Sequence, residues 1–191
     1  MLQKENLEHL KIPLTEILSA TNKFHVNHCI GWGGFGGVYK GELFHCDVRK
    51  YAELNDSQRV SMVKLYGYPR RKSKVAVKRL ASALGQGKNE FLQEIKVLST
   101  LNHENIVSLL GFCDENDEMI LVYEYAANGS LDKCIQNIDK GYSTPWLKRL
   151  QICLDMAHGL KYLHNLHVIH RDIKSGNILL GKIIGKPRLV T

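Results

Sequence analysis

Polar side chains that could support acid–base chemistry are concentrated in one short string, HRDIKSGN, at residues 170–177. Asp172 provides a carboxylate that could orient a hydroxyl group or accept its proton, and Lys174 places a positive charge two residues later. Asn177 adds a side-chain oxygen of the kind that binds Mg²⁺. A base, a cation and a metal ligand together predict transfer of an anionic group to a hydroxyl. The alternative is a polar turn between a helix and a strand.

A glycine-rich stretch at residues 30–40, IGWGGFGGVYK, indicates a site for phosphate groups. It fits the pattern G-x-G-x-x-G-x-V, in which positions without side chains let backbone amides approach phosphate oxygens. The matching residues are Gly31, Gly33, Gly36 and Val38. A dinucleotide-dependent oxidoreductase would need a helix directly after the third glycine, whereas Val38-Tyr39-Lys40 predicts a returning strand. The motif therefore favours a nucleoside triphosphate held by a strand–loop–strand hairpin.

A lysine and a glutamate are placed where they could complete such a site. In VAVKRL, at residues 75–80, side chains alternate in direction, so Lys78 shares a face with the small Ala76. Between 89 and 101 apolar residues recur at helical spacing, and Glu94 falls on their stripe. These residues are Phe91, Ile95 and Leu98. An inward-facing acid needs a partner, so we expect Glu94 to hold Lys78 while Lys78 binds phosphates. The alternative for Lys78 is a solvated strand lysine.

The segments around these motifs predict the elements that position them. Apolar runs at 106–112 and 119–125, joined by polar residues, are typical of an antiparallel hairpin. Thr144 followed by Pro145 predicts the start of a helix. Residues 146–164 carry apolar side chains on two faces, which predicts a helix buried on both.

Two polar stretches lie outside this pattern. Residues 1–28 are a leader with one amphipathic set of apolar residues. Residues 42–74 show weak periodicity and are longer than the connections usual within a compact domain. We interpret 42–74 as an inserted surface loop.

The composition fits one domain, or a domain and a fragment, with a packed core. The chain has 191 residues and 44% hydrophobic content, which excludes disordered and fibrous classes. Its 26 Lys and Arg against 19 Asp and Glu give a net charge of +7, which could favour nucleic acid, an anionic membrane or phosphorylated ligands. The only tight basic run, residues 70–74, lies in the predicted loop. We therefore interpret the charge as a solvated surface and expect no nucleic-acid partner.

The five cysteines are scattered and form no CxxC pair, which indicates a reducing compartment rather than a disulfide framework or a zinc knuckle. No apolar run approaches the roughly 18 residues of a membrane span, and the start lacks the apolar part of a signal peptide. We expect a cytoplasmic chain without a transmembrane segment. The spacing of His164, His167 and His170 could suggest a metal site, but ring directions diverge at a helix end and no second shell completes it.

With these motifs in this order, the sequence resembles a eukaryotic-type protein kinase, and within that family the plant receptor-like kinases of the serine/threonine class. The strings IPLTEILSATNKF, VYKGEL, HENIVSLLGFC, LVYEYAANGSL and HRDIKSGNILL are similar to the phrases of those kinases. The resemblance implies an α+β, two-lobe fold. Residues 29–126 would form a complete N-lobe of antiparallel sheet plus one helix, and 127–191 a partial helical C-lobe. Residues 1–28 would form a juxtamembrane-like leader.

The same resemblance implies ATP and Mg²⁺ as cofactors and a protein as substrate. Its catalytic residues would be Asp172, Lys174, Asn177, Lys78 and Glu94, with Asn177 also binding the metal. Tyr123 would be the gatekeeper, residues 124–126 the hinge, and Ala76 and Leu179 would sandwich adenine. The nucleotide-binding set would consist of Ile30, Gly31, Gly33, Gly34, Gly36, Val38, Ala76, Lys78, Tyr123, Glu124, Ala126 and Leu179.

The end of the sequence departs from this family. Its members continue to an Asp-Phe-Gly motif and an activation loop, whereas no Asp or Glu follows Asp172 here. That aspartate ordinarily bridges Mg²⁺ to the β- and γ-phosphates, so we expect the chain alone to bind ATP without transferring phosphate. One hypothesis is an incomplete record of a kinase that acts on Ser and Thr hydroxyls, from a truncated gene model, a retained intron or an alternative transcript. The alternative is a catalytically silent module that binds full-length kinases or receptors. Relatives are often tethered, which adds the inner face of the plasma membrane as a predicted location.

Overall fold

The computed structural model describes residues 7–33, 36–81, 88–136, 144–181 and 187–190. The chain divides into two compact units. The first consists of 1–97 with 109–125, and the second of 98–108 with 126–191. None of the helices in the described ranges combines the length and the apolar character that a bilayer-spanning segment requires.

The first unit is built on a five-stranded antiparallel sheet with the strand order β1-β2-β3-β5-β4. The strands are β1 (Cys29–Gly33), β2 (Gly36–Cys46), β3 (Arg70–Leu80), β4 (Leu109–Cys113) and β5 (Ile120–Glu124). The long strands β2 and β3 pair over their whole length, from Gly36 opposite Leu80 to Cys46 opposite Arg70. The predicted hairpin formed by the two apolar runs is confirmed as β4 and β5.

The leader supplies one wall of the core of this unit. Helix α1 (Leu14–Ala20) buries Ile17 completely against the sheet face that carries Val75 and Val77. Ahead of α1, the Ile12 N–H donates to the Phe112 carbonyl at 2.9 Å, so the leader also covers part of the edge strand β4. Covering an edge removes unpaired backbone groups that would otherwise attract other chains.

Regular structure fills most of the stretch 42–74, and the loop interpretation is wrong for these residues. Between the extended ends of β2 and β3 lie α2 (Val48–Ala52) and α3 (Asp56–Tyr66). A capping box starts α3: Asn55 Oδ1 accepts from the Gln58 N–H at 2.9 Å, and Gln58 Oε1 accepts from the Asn55 N–H at 3.0 Å. Because α3 buries no side chain, its sequence has no apolar stripe by which a helix would be predicted.

Helix α4 (Lys88–Thr100) packs on the first unit through the stripe predicted for it. Phe91 and Ile95 are completely buried, and Leu98 is nearly so. The Phe91 ring meets the Phe112 ring edge to face, with centroids 6.3 Å apart. This aromatic pair fixes α4, and with it Glu94, relative to the sheet.

The second unit contains α5 (Leu131–Gln136), α6 (Trp146–Asn165) and a two-stranded sheet of β6 (Ile178–Leu180) and β7 (Pro187–Leu189). Helix α6 begins directly after Pro145, as predicted. One of its faces is buried through Ile152, Met156 and Leu163. The other face is exposed, so burial on both faces is wrong for this chain. Its exposed residues include Leu147, Leu150 and Leu154.

The cysteines give a test of packing at the far end of β2. Burial raises the pKa of the Cys46 thiol to about 11, whereas Cys153 is exposed on α6. Because the thiolate is the reactive form, iodoacetamide at mildly alkaline pH should alkylate Cys153 rapidly and Cys46 only after unfolding. Peptide mass spectrometry against time measures both rates. Equal rates in the native protein would contradict the packing of Cys46.

Candidate functional site

The glycine-rich stretch forms the β1–β2 hairpin, with Gly31 opposite Val38 and Gly33 opposite Gly36. Gly36 has a φ of +115°, and a Cβ atom built there would lie 2.1 Å from the Arg79 carbonyl oxygen. The sheet itself therefore requires glycine at this position. At Gly33, by contrast, a Cβ would meet none of the described residues within 4 Å. The fold does not require glycine there, and the bare backbone is open to a ligand. The predicted Gly34 lies outside the described residues.

The predicted strand residues gather on one face of the sheet. Lys78 pairs with Val38 on β2 and with Leu121 on β5, and Ala76 pairs with Tyr123. Side chains of directly paired residues point to the same face, so these five share the face opposite the leader. Ile30 lies on β1, and Glu124 is the last residue of β5.

Tyr123 is a buried phenol close to the glutamate of α4. Its side chain is 5% exposed, and its hydroxyl finds no hydrogen-bond partner among the residues that the structure describes. Burial, reinforced by the negative charge of Glu94, raises the pKa of Tyr123 far above its usual range. The phenol is therefore a neutral donor at physiological pH. The predicted contact between Lys78 and Glu94 stays a prediction.

In the second unit the string 170–177 brings its three chemical groups together. The Lys174 ammonium lies 2.8 Å from Asp172 Oδ2, and the Asn177 side-chain amide donates to the same oxygen at 2.9 Å. The same amide group donates to the Asp172 carbonyl at 2.8 Å. Asp172 Oδ1 takes part in neither contact. The Asn177 amide nitrogen is thus engaged, while its oxygen is the atom that could bind a cation.

Two hydrogen bonds to the carboxylate hold Asp172 in its charged form. The contact with Lys174, followed by that with Asn177, lowers the pKa of Asp172, although the side chain is half exposed. At neutral pH this group is an ionised acceptor beside a fixed positive charge. Such an arrangement can orient a hydroxyl group and stabilise negative charge that develops next to it.

The loop that carries Asp172 is held by His170 together with Val190, and sequence reasoning missed Val190. His170 Nδ1 accepts from the Asp172 N–H at 3.2 Å, and His170 Nε2 contacts the Val190 carbonyl. If the ring is neutral, Nε2 carries the proton and donates to Val190. The Val190 N–H in turn donates to the Asn177 carbonyl at 2.9 Å. The apolar pair Leu189 and Val190 after Pro187 was the available signal for this strand end.

Strand β7, which leads to Val190, is anchored by a buried asparagine. Asn105 is 4% exposed, its side-chain amide donates to the Pro187 carbonyl at 3.2 Å, and its own carbonyl accepts from the Leu189 N–H at 2.8 Å. Because Asn105 is buried, water cannot replace these hydrogen bonds if they are lost. Asn105 therefore fixes the position of β7.

The two remaining predicted residues also lie in the second unit. Leu179 on β6 forms a bridge with Ser130, and the Leu180 N–H donates to the Gly129 carbonyl at 2.8 Å. Ala126 begins the turn that contains Gly129, whose N–H donates to the Ala126 carbonyl at 3.3 Å. The structure thus joins Ala126 and Leu179 through one turn.

Comparison with known proteins agrees with this geometry. The model of the family described as protein tyrosine and serine/threonine kinase matches residues 24–186. The chain belongs to this kinase family. The sheet with α4 in the first unit and the helical second unit confirm the α+β kinase-like fold predicted from the sequence.

Similar curated kinases are receptor-like proteins of Arabidopsis thaliana. A probable receptor-like protein kinase is 45% identical over 89% of this chain, and receptor-like protein kinase HERK 1 is 43% identical over 89%. A G-type lectin S-receptor-like serine/threonine-protein kinase is 41% identical over 86%. These matches confirm the resemblance to plant receptor-like kinases. The chain spans 18% of the length of each of these three relatives.

The kinase family generally uses ATP and Mg²⁺, and the described residues fit both in part. The open backbone at Gly33 suits an approaching phosphate. Asp172 and Asn177 supply oxygen donors of the type that Mg²⁺ prefers. Within the described ranges, no group of three or more His, Cys, Asp or Glu side chains could hold a metal. A Mg²⁺ ion bound here would therefore depend on phosphate oxygens as well, as is usual for this ion.

Proposed function

We propose that this chain is the ATP-binding and catalytic-loop part of a serine/threonine kinase, which transfers the ATP γ-phosphate to hydroxyl groups of proteins in receptor-like kinase signalling. The observation that carries the proposal is the contact of Asp172 with both Lys174 and Asn177 in a member of the kinase family. An ionised carboxylate beside a cation, with one oxygen that takes part in neither of these two contacts, is suited to orienting a phosphate-accepting hydroxyl.

The proposed roles follow from chemistry. Lys78, with Glu94 as its partner, binds the α- and β-phosphates under the glycine-rich hairpin, and Tyr123 limits the depth of the adenine site. Asp172 orients the acceptor hydroxyl, Lys174 stabilises the charge on the transferring group, and Asn177 holds Mg²⁺. Residues 29–126 and 127–191 are the proposed parts of the two lobes, and 1–28 the proposed leader.

We propose, as the alternative function, that the 191-residue polypeptide is a nucleotide-binding module that transfers no phosphate. In that form it would act by binding partners such as full-length kinases or receptors. The scattered cysteines support a cytoplasmic location, and the inner face of the plasma membrane is the proposed site of action.

Thermal unfolding with and without Mg-ATP tests nucleotide binding by the 191-residue chain. Mg-ATP at a free concentration of about 100 times its dissociation constant should raise the free energy of unfolding by about 2.7 kcal/mol. Lys78→Ala should weaken ATP binding at least about tenfold, because a charge-assisted bond to phosphate is lost. Lys74→Ala is the matched control, since it removes an exposed lysine from the same face of β3. No stabilisation of the unmodified chain by Mg-ATP would contradict the proposal.

Phosphate transfer to a general acceptor protein separates the two forms of the proposal. The 191-residue chain should transfer no more phosphate to the acceptor protein than its Asp172→Asn variant does. Activity that depends on Asp172 would contradict the silent form and would support the enzymatic one directly. Activity equal in both proteins but above background would contradict the role proposed for Asp172.

A further inference from the structure

The paired strands β2 and β3 extend beyond the other strands of the sheet. Strand β2 pairs with β3 from Leu80 back to Arg70, whereas β5 pairs with β3 only as far as Val75, which lies opposite Glu124. Within the described ranges, residues 70–74 of β3 therefore have a neighbouring strand on one side alone. This side of β3, RRKSK in sequence, is called the β3 edge below. Such an edge presents backbone groups that can pair with a further strand.

Two hydrogen bonds show which backbone groups face the β3 edge. The Asp47 N–H donates to the Pro69 carbonyl at 2.6 Å, on the side of β2. The Leu80 N–H donates to the Met119 carbonyl at 2.9 Å, on the side of β5. In an antiparallel sheet, successive residues of a strand direct their N–H and C=O groups to opposite neighbours. Odd-numbered residues of β3 thus bond to β2, so Lys72, at the centre of the edge, directs both its N–H and its C=O away from β2.

The β3 edge is fixed by contacts within the first unit. His45 of β2 is 1% exposed, and its Nε2 lies 2.7 Å from the Ser73 hydroxyl. The Arg70 guanidinium donates to Glu16 of α1 at 2.7 Å and to the Phe44 carbonyl at 3.0 Å. A strand that is already ordered binds a partner at a lower entropic cost than one that must first be ordered.

The β3 edge carries cations on both faces of the sheet. Arg71 and Lys74 are exposed and lie on opposite faces, because side chains alternate along a strand. Acids of the same unit pair with Arg70 and Lys72. Arg71 and Lys74, in contrast, form no ion pair with any residue that the structure describes. A strand added at this edge would therefore meet positive charge on both of its faces.

This charge discriminates among the strands that could pair with the edge. A second copy of the same edge would place cations opposite cations, which destabilises a strand pair. Neutral strands gain nothing from the cations, and lysines on an edge commonly oppose such pairing. An acidic strand is attracted instead, because acids at neighbouring positions meet Lys74 on one face and Arg71 on the other. Nucleic acid would use the charges but not the backbone groups of Lys72.

We propose that the β3 edge binds an extended acidic segment of a partner protein, which adds a strand to the five-stranded sheet. The Lys72 N–H donates to a carbonyl of that segment, and the Lys72 carbonyl accepts from an N–H of the same segment. Acidic side chains of the segment contact Arg71 and Lys74. The proposal does not depend on the kinase chemistry, and it revises the interpretation of the basic run 70–74 as part of a solvated loop.

Fluorescence anisotropy with a labelled peptide tests the proposal. The probe is an extended acidic peptide, Thr-Val-Asp-Glu-Asp-Val-Thr, titrated with the 191-residue chain. The peptide should bind, and its affinity should fall as salt increases. A control peptide with Asn and Gln in place of the three acids should bind about tenfold more weakly, since its exposed ion pairs are lost. No binding of the acidic peptide, or equal binding of both peptides, would overturn the proposal.

Methylation of backbone nitrogens separates strand pairing from charge attraction. Two further probes carry N-methyl groups at the odd or at the even positions of the acidic peptide. Only one of these sets of nitrogens faces the edge in an added strand. One methylated probe should therefore bind as the parent peptide does, and the other at least about tenfold more weakly. Equal affinities of the two methylated probes would overturn the proposal.

Lys72→Pro tests the protein side of the same hydrogen bonds. Proline lacks the N–H that faces the edge, and the pairing of β2 with β3 does not use this group. Lys72→Gln is the matched control, since it removes the charge and keeps the N–H. The proline variant should bind the acidic peptide about fivefold more weakly than the glutamine variant. Equal affinities of two folded variants would overturn the proposal, and if Lys72→Pro unfolds, the methylated probes decide the question.

Charge variants test the contacts on the two faces of the edge. Arg71→Gln combined with Lys74→Gln should weaken binding of the acidic peptide about fivefold. Lys161→Gln removes an exposed charge from α6 and should leave the affinity unchanged. Equal losses in the double variant and in the Lys161 control would overturn the proposal. Tighter binding of an oligothymidylate than of the acidic peptide would also overturn it, in favour of nucleic acid.

Discussion

Replacing Gly36 with alanine is expected to lower the free energy of unfolding of the first unit by about 3 kcal/mol. The added methyl group would lie 2.1 Å from the Arg79 carbonyl oxygen, a backbone atom that cannot rotate away. In addition, the φ of +115° is a conformation that side chains rarely allow. Overpacking and backbone strain each cost about 1–3 kcal/mol. The pairing of β1 with β2 and of β2 with β3 should both loosen at this point.

Thermal unfolding measures this effect, which should appear as a fall in melting temperature on the order of 10 °C. Gly33→Ala is the matched control in the same hairpin, because its Cβ would meet no atom within 4 Å in the part of the chain that the structure describes. The control should keep its melting temperature and lose affinity for ATP only if a phosphate approaches the Gly33 backbone. A Gly36→Ala variant as stable as the control would contradict the geometry of the β2–β3 pairing.

Phe91→Ala is expected to destabilise the first unit by about 3–5 kcal/mol, the usual cost of removing a large ring from a packed core. Phe91 is completely buried and meets the Phe112 ring edge to face. Without this ring, α4 loses its aromatic contact with Phe112 of the sheet, and Glu94 on the same helix is held less firmly. Chemical denaturation gives the loss in free energy, and amide hydrogen exchange across α4 shows whether the helix detaches.

Val97→Ala serves as the control on the same helix, since that side chain is 44% exposed. Its effect should stay within about 0.5 kcal/mol, because exposed substitutions away from special features are nearly neutral. Similar losses for Phe91→Ala and Val97→Ala would mean that α4 is not held through its apolar stripe.

Elements with a buried apolar pattern could be predicted from the sequence. Val75 and Val77 alternate with Ala76 and Lys78, and the first pair packs in the core with the leader while the second pair lies on the opposite face of the sheet. The stripe of α4 is equally plain, because burial on one side of a helix leaves a 3.6-residue period. Helix α3 has no buried residue and so leaves no period to detect.

Some contacts of the candidate site could likewise be predicted from the sequence, and others could not. Asp172, Lys174 and Asn177 are near each other in sequence, so their contacts follow from a short string. The support from Val190 and Asn105 depends on pairing between residues far apart in the chain. The local signal of a strand of three residues, as β7 is, is an apolar pair after a proline, and such a signal does not indicate which residues the strand contacts.

Gly111 shows how closely the segment before the glycine-rich hairpin is fitted to the sheet. A methyl group at Gly111 would come within 2.6 Å of the Leu10 carbonyl oxygen, and within 2.5 Å of the Ile12 side chain. The contact of Gly111 with Leu10 and Ile12 leaves no room for a side chain at position 111, so residues 10–17 are packed against the sheet. A force applied to residues 10–17 would therefore act on β4 and on the buried valines of β3 at the same time.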